Sequence, residues 1–283
     1  MMDILYFLYK TRLNVFSSIM LNKKLKILVT NDDGYRAKGI NVLKELLSAY
    51  GDVTAIAPYE PQSGKSSSLT LDRPLRLEHL ERKTALNGNS IDTYTLTGTP
   101  ADCVKMAMNS VFSRDNKPDI LVSGINHGSN ASIASLYSGT LGAAAEATVY
   151  GVPSIGLSIN THNPNADFSP VEYYLDTIIS KFIQYPPSSG IYLNVNFPDM
   201  PAGEIKGIRF ASQGKGMWIN EYERRADPHG KPYYWMAGEF LDTETSDNGD
   251  HHVVQNGYIS IVPHKIDTTD YNEMERMSHD WNL

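Results

Sequence analysis

Cysteine is nearly missing: among 283 residues there is one, Cys103. No internal disulfide framework can form, which fits a reducing cytoplasmic setting, and the lone thiol reads as a small core residue. An excess of positive charge is missing too, with 25 Lys and Arg against 32 Asp and Glu and a formal net charge of −7. That balance argues against a nucleic-acid polymer as partner, because such binding needs a basic stripe. Small anionic ligands stay open where a metal offsets the local charge. A membrane-spanning run is also lacking. Residues 1–20 are largely apolar, but Asp3, Lys10 and Arg12 divide them well short of a spanning helix. A secretory signal fails as well, since the apolar stretch 4–9 precedes both basic residues and no small-residue cleavage site follows. Residues 1–24 are read as an N-terminal extension, either an amphipathic segment or an untranslated stretch upstream of a start at Met20.

Several catalytic signatures are absent. Ser63-Gly64-Lys65-Ser66 has the ending of a phosphate-binding P-loop, but the glycine required five positions before Gly64 is Tyr59. No G-x-G-x-x-G follows the first apolar strand, so a dinucleotide fingerprint is lacking. His251 and His252 are adjacent, unlike the i, i+4 pair of a zinc protease, and read as a surface pair. No G-x-S-x-G elbow supports a serine nucleophile.

What is present begins at Lys26-Ile27-Leu28-Val29-Thr30-Asn31-Asp32-Asp33-Gly34. The apolar run at 25–30 has no sustained polar alternation, as in a parallel strand covered on both faces, and it ends on two adjacent carboxylates. Ile40, Leu43, Leu46 and Leu47 then recur at helical spacing. A second strand at 53–58 runs into a Ser- and Gly-rich loop, and a third at 118–123 runs into the polar loop 124–130. Thr99-Pro100-Ala101-Asp102 predicts a helix with Thr99 as N-cap, Pro100 first and Asp102 in the first turn. Ser138-Gly139-Thr140 starts another. A strand at 152–159, a helix at 171–184 and a strand at 191–197 continue the alternation.

This pattern predicts an α/β fold: a doubly wound parallel sheet, Rossmann-like and three-layered, over residues 25–200. Residues 69–97 read as hairpin-like decoration. Residues 201–283 read as a C-terminal β-rich appendage with a β-hairpin, a returning strand and a terminal helix. A hairpin of this kind rarely stands alone in water, so it is expected to pack on a second subunit.

On a parallel sheet, the three loops gather at one edge, where ligands of open α/β sheets bind. Two carboxylates about 4 Å apart there repel by roughly 4 kcal/mol at an effective dielectric near 20. A cation between them is the natural remedy. Asp32 and Asp33 supply charge, Ser63 a hydroxyl and Asn126 an amide oxygen, an all-oxygen set suited to magnesium or manganese, one ion per subunit. The helix beginning at Ser138 points its free N–H groups at the same edge, a place for phosphate.

Four stretches closely resemble the SurE, or stationary-phase survival protein, family. They are residues 27–34 (ILVTNDDG), 97–104 (TGTPADCV), 123–130 (SGINHGSN) and 137–140 (YSGT). The resemblance spans roughly residues 25–266. It implies a divalent-metal-dependent phosphatase acting on nucleoside 5'- and 3'-monophosphates, in some members also on short polyphosphate, and assembled as a homodimer or homotetramer. It implies metal ligation by Asp32, Asp33, Ser63 and Asn126, with Ser66 as the competitor for Ser63. Within its motifs, Asn31, Gly98, Thr99, Ser138, Gly139 and Thr140 are the expected phosphate and substrate contacts. Catalysis is expected from Asp32 and Asp33, with Asp32 orienting water; the general acid is unassigned, His127 and His264 being the histidines near plausible loops. The rival is a non-catalytic nucleotide or anion sensor using the same metal edge.

Overall fold

In the computed structural model, which describes residues 24–161, 163 and 165–281, the first apolar run forms β1 (Leu25–Thr30) in the interior of a nine-stranded sheet. The expected N-terminal extension lies, except for Lys24, outside the described residues. Ile27 and Val29 enter one core and Leu28 the other. Both faces are covered, which is why the strand lacks polar alternation. β2 (Gly51–Pro58) and β5 (Ile120–His127) flank β1 in parallel. β4 (Ser90–Leu96) extends the parallel array beyond β2, while β6 (Ser154–Asn160) and β7 (Ile191–Pro198) extend it beyond β5. The outer members are β3 (Leu77–Thr84), antiparallel to β4, and β13 (Ile259–Lys265), antiparallel to β7, with β8 (Ile208–Phe210) parallel to β13.

Helices cover both faces, as the doubly wound expectation requires. Ile40, Leu43 and Leu47 of α1 (Lys38–Leu47) share one core with Leu175, Ile179 and Phe182 of α4 (Ser169–Gln184). Burying each such side chain is worth about 2 kcal/mol. On the other face, α2 (Pro100–Met106), continued by a π turn at Ala107–Val111, packs with α3 (Gly139–Val149). Cys103 sits there without exposed surface, the core role expected of it, and burial pushes its thiol pKa up.

Three local expectations change. Residues 69–97 do contain a hairpin, closed where Ala85 N–H donates to Asn89 O, but β4 is a full parallel member of the sheet. Its alternation, with Ile91, Thr93 and Thr95 buried between half-buried neighbours, looked like an edge hairpin because β4 has one neighbour of each orientation. The predicted loop at 124–130 begins later, since β5 runs on through Asn126 and His127. Its register against β6 shifts between Ser123 and Asn126, an irregularity that re-aims the strand end. Finally, the C-terminal region adds β8 to the main sheet beside the returning strand β13. What stands apart is the pair β10 (Tyr222–Ala226) and β11 (Pro232–Met236), and the pair β9 (Met217–Ile219) and β12 (Glu239–Leu241). α5 (Asp250–Gln255) and α6 (Tyr271–Trp281) complete the chain. Among the described residues, no helix is long and apolar enough to cross a membrane.

One packing contact ties α1 to the strand end that carries Asn126. A Cβ added at Gly39 would lie 2.1 Å from the Ile125 carbonyl oxygen. Gly39→Ala is expected to lower stability by about 2 kcal/mol, because this backbone overlap outweighs a helix-propensity gain of about 1 kcal/mol. A denaturant midpoint above that of the wild type would contradict the contact.

Candidate functional site

β1 ends at Thr30, and the chain leaves the pleat before its two acids, so both can face one place. Asn31 shapes the turn by donating from Nδ2 to Gly34 O (3.0 Å), while its own Oδ1 is buried without a hydrogen-bond partner among the described residues. Asp32 is 4% exposed, and the Thr140 hydroxyl donates to its Oδ1 at 2.5 Å. Burial raises its pKa, opposed by the Thr140 hydroxyl and by backbone N–H groups that include those of Thr140 and Gly139. The first amides of α3, expected to be free for phosphate, therefore already face the Asp32 carboxylate. Ser138 is the N-cap, its hydroxyl accepting from Leu141 N (3.1 Å).

Gly139 is required for this seat. A Cβ there would lie 2.8 Å from Asp32 Cβ, 3.0 Å from Asp32 Oδ2 and 3.2 Å from Pro100 Cγ. The starts of α2 and α3 thus converge on Asp32.

Asp33 accepts a hydrogen bond from the His127 backbone N–H at 3.1 Å. Its pKa is pushed up to about 6, first by burial and then by the charge of Asp32, with the His127 amide working against both. Asn126 donates from Nδ2 to Gly128 O at 2.7 Å, which leaves its side-chain oxygen as the available donor atom. A buried amide network supports the segment that follows. Asn130 N donates to Asn196 Oδ1, Asn130 Nδ2 to Ser158 Oγ, and Asn194 Nδ2 to Asn130 O.

The loop after β2 is tied to the same place through Gln62 N, which donates to Asp32 O at 2.7 Å. Ser63, next along, is exposed, and its hydroxyl makes no hydrogen bond among the described residues. Ser66 differs, because its hydroxyl donates to Leu136 O (2.8 Å) and its N–H to Tyr137 O (3.0 Å), pinning the loop to the segment before α3. Thr99 caps α2: its Oγ1 accepts from Asp102 N (3.1 Å) and donates to Ser68 O (2.7 Å), while Asp102 Oδ2 accepts from Thr99 N (2.9 Å). The hydroxyl of Thr99 is thus committed within the fold. Gly98 lines a cavity of about 260 Å³ together with Tyr59, Gln62 and Arg73.

The donors left over at this edge are carboxylate, amide and hydroxyl oxygens, with two acids repelling each other at their centre. That set fits a hard divalent cation. His127 stays beside it, its Nε2 buried without a hydrogen-bond partner among the described residues. His264 does not: it pairs with Tyr192 near the start of β7, at the opposite edge of the sheet, and stacks on that ring at 5.4 Å. Antiparallel β13 reverses the end on which its last residues lie, which linear spacing could not reveal.

Residues that the sequence reading passed over include the loop ties at Gln62 and Thr70, and Arg73 and Tyr59 in the cavity wall. No short-range signal marks them. The pair His251 and His252, read as a surface pair, is a further correction. His251 is 7% exposed, because Phe240 of β12 packs against its ring at 5.4 Å.

Thr140→Val keeps the shape but leaves the Asp32 carboxylate short of a charge-assisted hydrogen bond worth about 2 kcal/mol. We expect the Asp32 pKa to rise further, the acid limb of any pH–rate profile to move upward, and turnover to fall by about tenfold or more. Thr140→Ser should recover most of it; equal profiles for Val, Ser and wild type would exclude the hydroxyl from this role.

Comparisons with known proteins identify the family. A family model described as "Survival protein SurE" matches residues 27–220. The "5'-nucleotidase SurE" of Flavobacterium johnsoniae is 40% identical over 264 residues, covering 93% of this chain and 99% of the relative. That of Cytophaga hutchinsonii is 42% identical over 257 residues, covering 91% and 97%. Among solved structures, the SurE protein from Aquifex aeolicus matches with a TM-score of 0.75 at 35% identity, covering 90% of this chain and 98% of the other. With a family model matching more than half of its length and relatives aligned along nearly their whole chains, this chain belongs to the SurE family.

Proposed function

We propose that this protein is a divalent-metal-dependent phosphatase that hydrolyses nucleoside 5'-monophosphates, and also 3'-monophosphates and short polyphosphate, to release phosphate. The observation that carries the reading is the pair of mutually repelling carboxylates at the sheet edge, Asp32 buried and Asp33 half-buried, with the Asn126 amide oxygen left free beside them. The activity named in the relatives agrees with it.

Asp32, Asp33, Asn126 and Ser63 would hold one magnesium or manganese ion, whose charge would offset the phosphoryl oxygens and whose Lewis acidity would make water nucleophilic near neutral pH. Asp32, fixed by Thr140, orients the attacking water. Asp33, held by the His127 amide, supplies the second negative charge. Asn31, Gly98, Thr99, Ser138, Gly139 and Thr140 would border the place for the phosphate, the first amides of α3 acting through the Asp32 carboxylate that they face. For the nucleoside, a cavity of about 660 Å³ opens beside the same loop, lined by Gly64, Tyr137, Trp218 and Met236. Its aromatic walls suit a planar base.

The exposed aromatic hairpin β10–β11, with Tyr234 and Trp235 about 60% exposed, supports a homodimer or homotetramer. The composition supports a cytoplasmic protein with no nucleic-acid or membrane partner. Light scattering in solution tests the assembly.

The deciding experiment is phosphate release from a panel of nucleoside 5'- and 3'-monophosphates and tripolyphosphate, using chelator-stripped protein with and without magnesium or manganese. Metal-dependent release is expected and ranks the substrates. Nucleotide binding with no release under any ion would replace the phosphatase by the sensor.

A further inference from the structure

A second cluster of ligating groups lies away from the sheet edge, where the end of β12 meets α5. Asp242 Oδ2 is 2.6 Å from His252 Nε2 and 3.1 Å from His251 Nε2, and the three ligand atoms lie within 4.8 Å of one another. The partners of the other ring nitrogens fix what these atoms can do. His252 Nδ1 faces the Ser246 carbonyl at 3.0 Å; a carbonyl only accepts, so that nitrogen carries a proton. In the neutral ring, Nε2 then presents a lone pair to the Asp242 carboxylate. His251 Nδ1 is 2.9 Å from Ser132 Oγ; where the Ser132 hydroxyl donates to Asp250 Oδ1 (3.5 Å), Nδ1 carries the proton and Nε2 is the acceptor that faces the cluster. That Nε2 is buried and, despite its ion-pair distance to Asp242, has no aligned hydrogen bond.

With both rings neutral, three acceptors face one point; a proton on His252 Nε2, donated to Asp242 Oδ2 at 2.6 Å, satisfies that pair and leaves His251 Nε2 outside it. Protonating both rings would set two imidazolium groups with centroids 4.2 Å apart against a single carboxylate oxygen. One divalent cation satisfies all three at once. Tetrahedral zinc with bonds of about 2.0–2.1 Å places its ligand atoms about 3.4 Å apart, so modest side-chain widening admits the ion. Each imidazole is already oriented through its outer nitrogen, as metal-bound histidines are.

We infer that Asp242, His251 and His252 form a second divalent-cation site, of zinc type with two nitrogens and one oxygen, that clamps the end of β12 to α5. The site is separate in donor chemistry from the all-oxygen edge at Asp32 and Asp33. Through Ser132 it also reaches the 3-10 turn Ser132–Leu136, which leads directly to Ser138. Occupancy therefore braces the appendage against the segment that begins α3. Asp250 holds the clamp's foundation, accepting from Ser132 N (2.9 Å), Gly214 N (3.0 Å) and His251 N (2.9 Å).

The test uses the full chain after chelator stripping. Cobalt(II) is added as a visible probe of tetrahedral nitrogen ligation, and zinc(II) binding is followed by thermal melting. In wild type and in Asp33→Asn, equimolar cobalt should produce strong visible absorption and zinc should raise the melting temperature by several degrees. Asp242→Asn and His252→Gln, checked for folding by circular dichroism, should each lose the absorption and weaken zinc at least a hundredfold. Asp242→Asn changes an exposed side chain, so it remains informative if the histidine variant fails to fold. No absorption in wild type, absorption persisting in Asp242→Asn, or absorption lost only in Asp33→Asn would overturn the site.

Discussion

Asp33→Asn should abolish metal-dependent phosphate release, with a loss of about a thousandfold or more, while the far-ultraviolet circular dichroism stays that of the wild type. The asparagine keeps the size and an oxygen, so the His127 amide still has an acceptor and the turn after β1 is undisturbed. What disappears is one of two negative charges. A hard cation at an all-oxygen site depends on that charge for most of its attraction, because neutral oxygens replace water with little gain. Removing it weakens the ion and lowers the stabilisation available to the phosphoryl oxygens, the kind of electrostatic contribution that dominates such catalysis. The check is a paired measurement: phosphate release across a manganese titration, and manganese binding by calorimetry. Full release by the variant at saturating manganese, with an intact spectrum, would remove Asp33 from the site.

The reading of this edge from sequence succeeded where the determinants are local. Residues 25–34 state a buried strand and its acidic end within ten positions, and β1 occupies the expected 25–30. Thr99, Pro100 and Asp102 form the predicted helix start, with a reciprocal cap between Thr99 and Asp102. The contacts that tune the site are distant in the chain and left no such trace. Thr140 reaches Asp32 across 108 positions, and Ser132 reaches Asp250 across 118. A rule about helical spacing also hid the His251 and His252 cluster, since its third member, Asp242, precedes the helix and is brought back by the turn at 242–249. Likewise, β13 runs antiparallel to β7, so His264 lies at the edge opposite to the one its place in the sequence suggested.

The remaining prediction with a large effect concerns pH. Asp33 has an ordinary value of 3.8 and, in the folded metal-free protein, one of about 6, raised by burial and by Asp32. A raised carboxyl pKa means that the folded state holds the proton more tightly than the unfolded state does. Stability from this group is therefore fully present below about pH 4 and is lost as pH rises through about 6. The gap corresponds to about 3 kcal/mol, brought to about 2 kcal/mol by partial solvent screening. Other groups titrate in the same range, so the informative quantity is the difference between Asp33→Asn and wild type, both stripped of metal. At pH 7.5 the variant should be the more stable by about 2 kcal/mol, and at pH 4 the difference should vanish. Asp32 shifts in the same direction, and the two carboxylates titrate as a pair, so the transition should be broad. Metal reverses the sign, because the cation binds only the ionised ligands. Added manganese should stabilise wild type at pH 7.5 and leave Asp33→Asn nearly unchanged. Its apparent affinity for wild type should fall about tenfold per pH unit below pH 6 as a proton takes its place. A stripped wild type as stable as the variant at pH 7.5 would mean that Asp33 carries no such strain. Under the proposed function, the two negative charges that destabilise the metal-free fold are the same ones that would attract the ion.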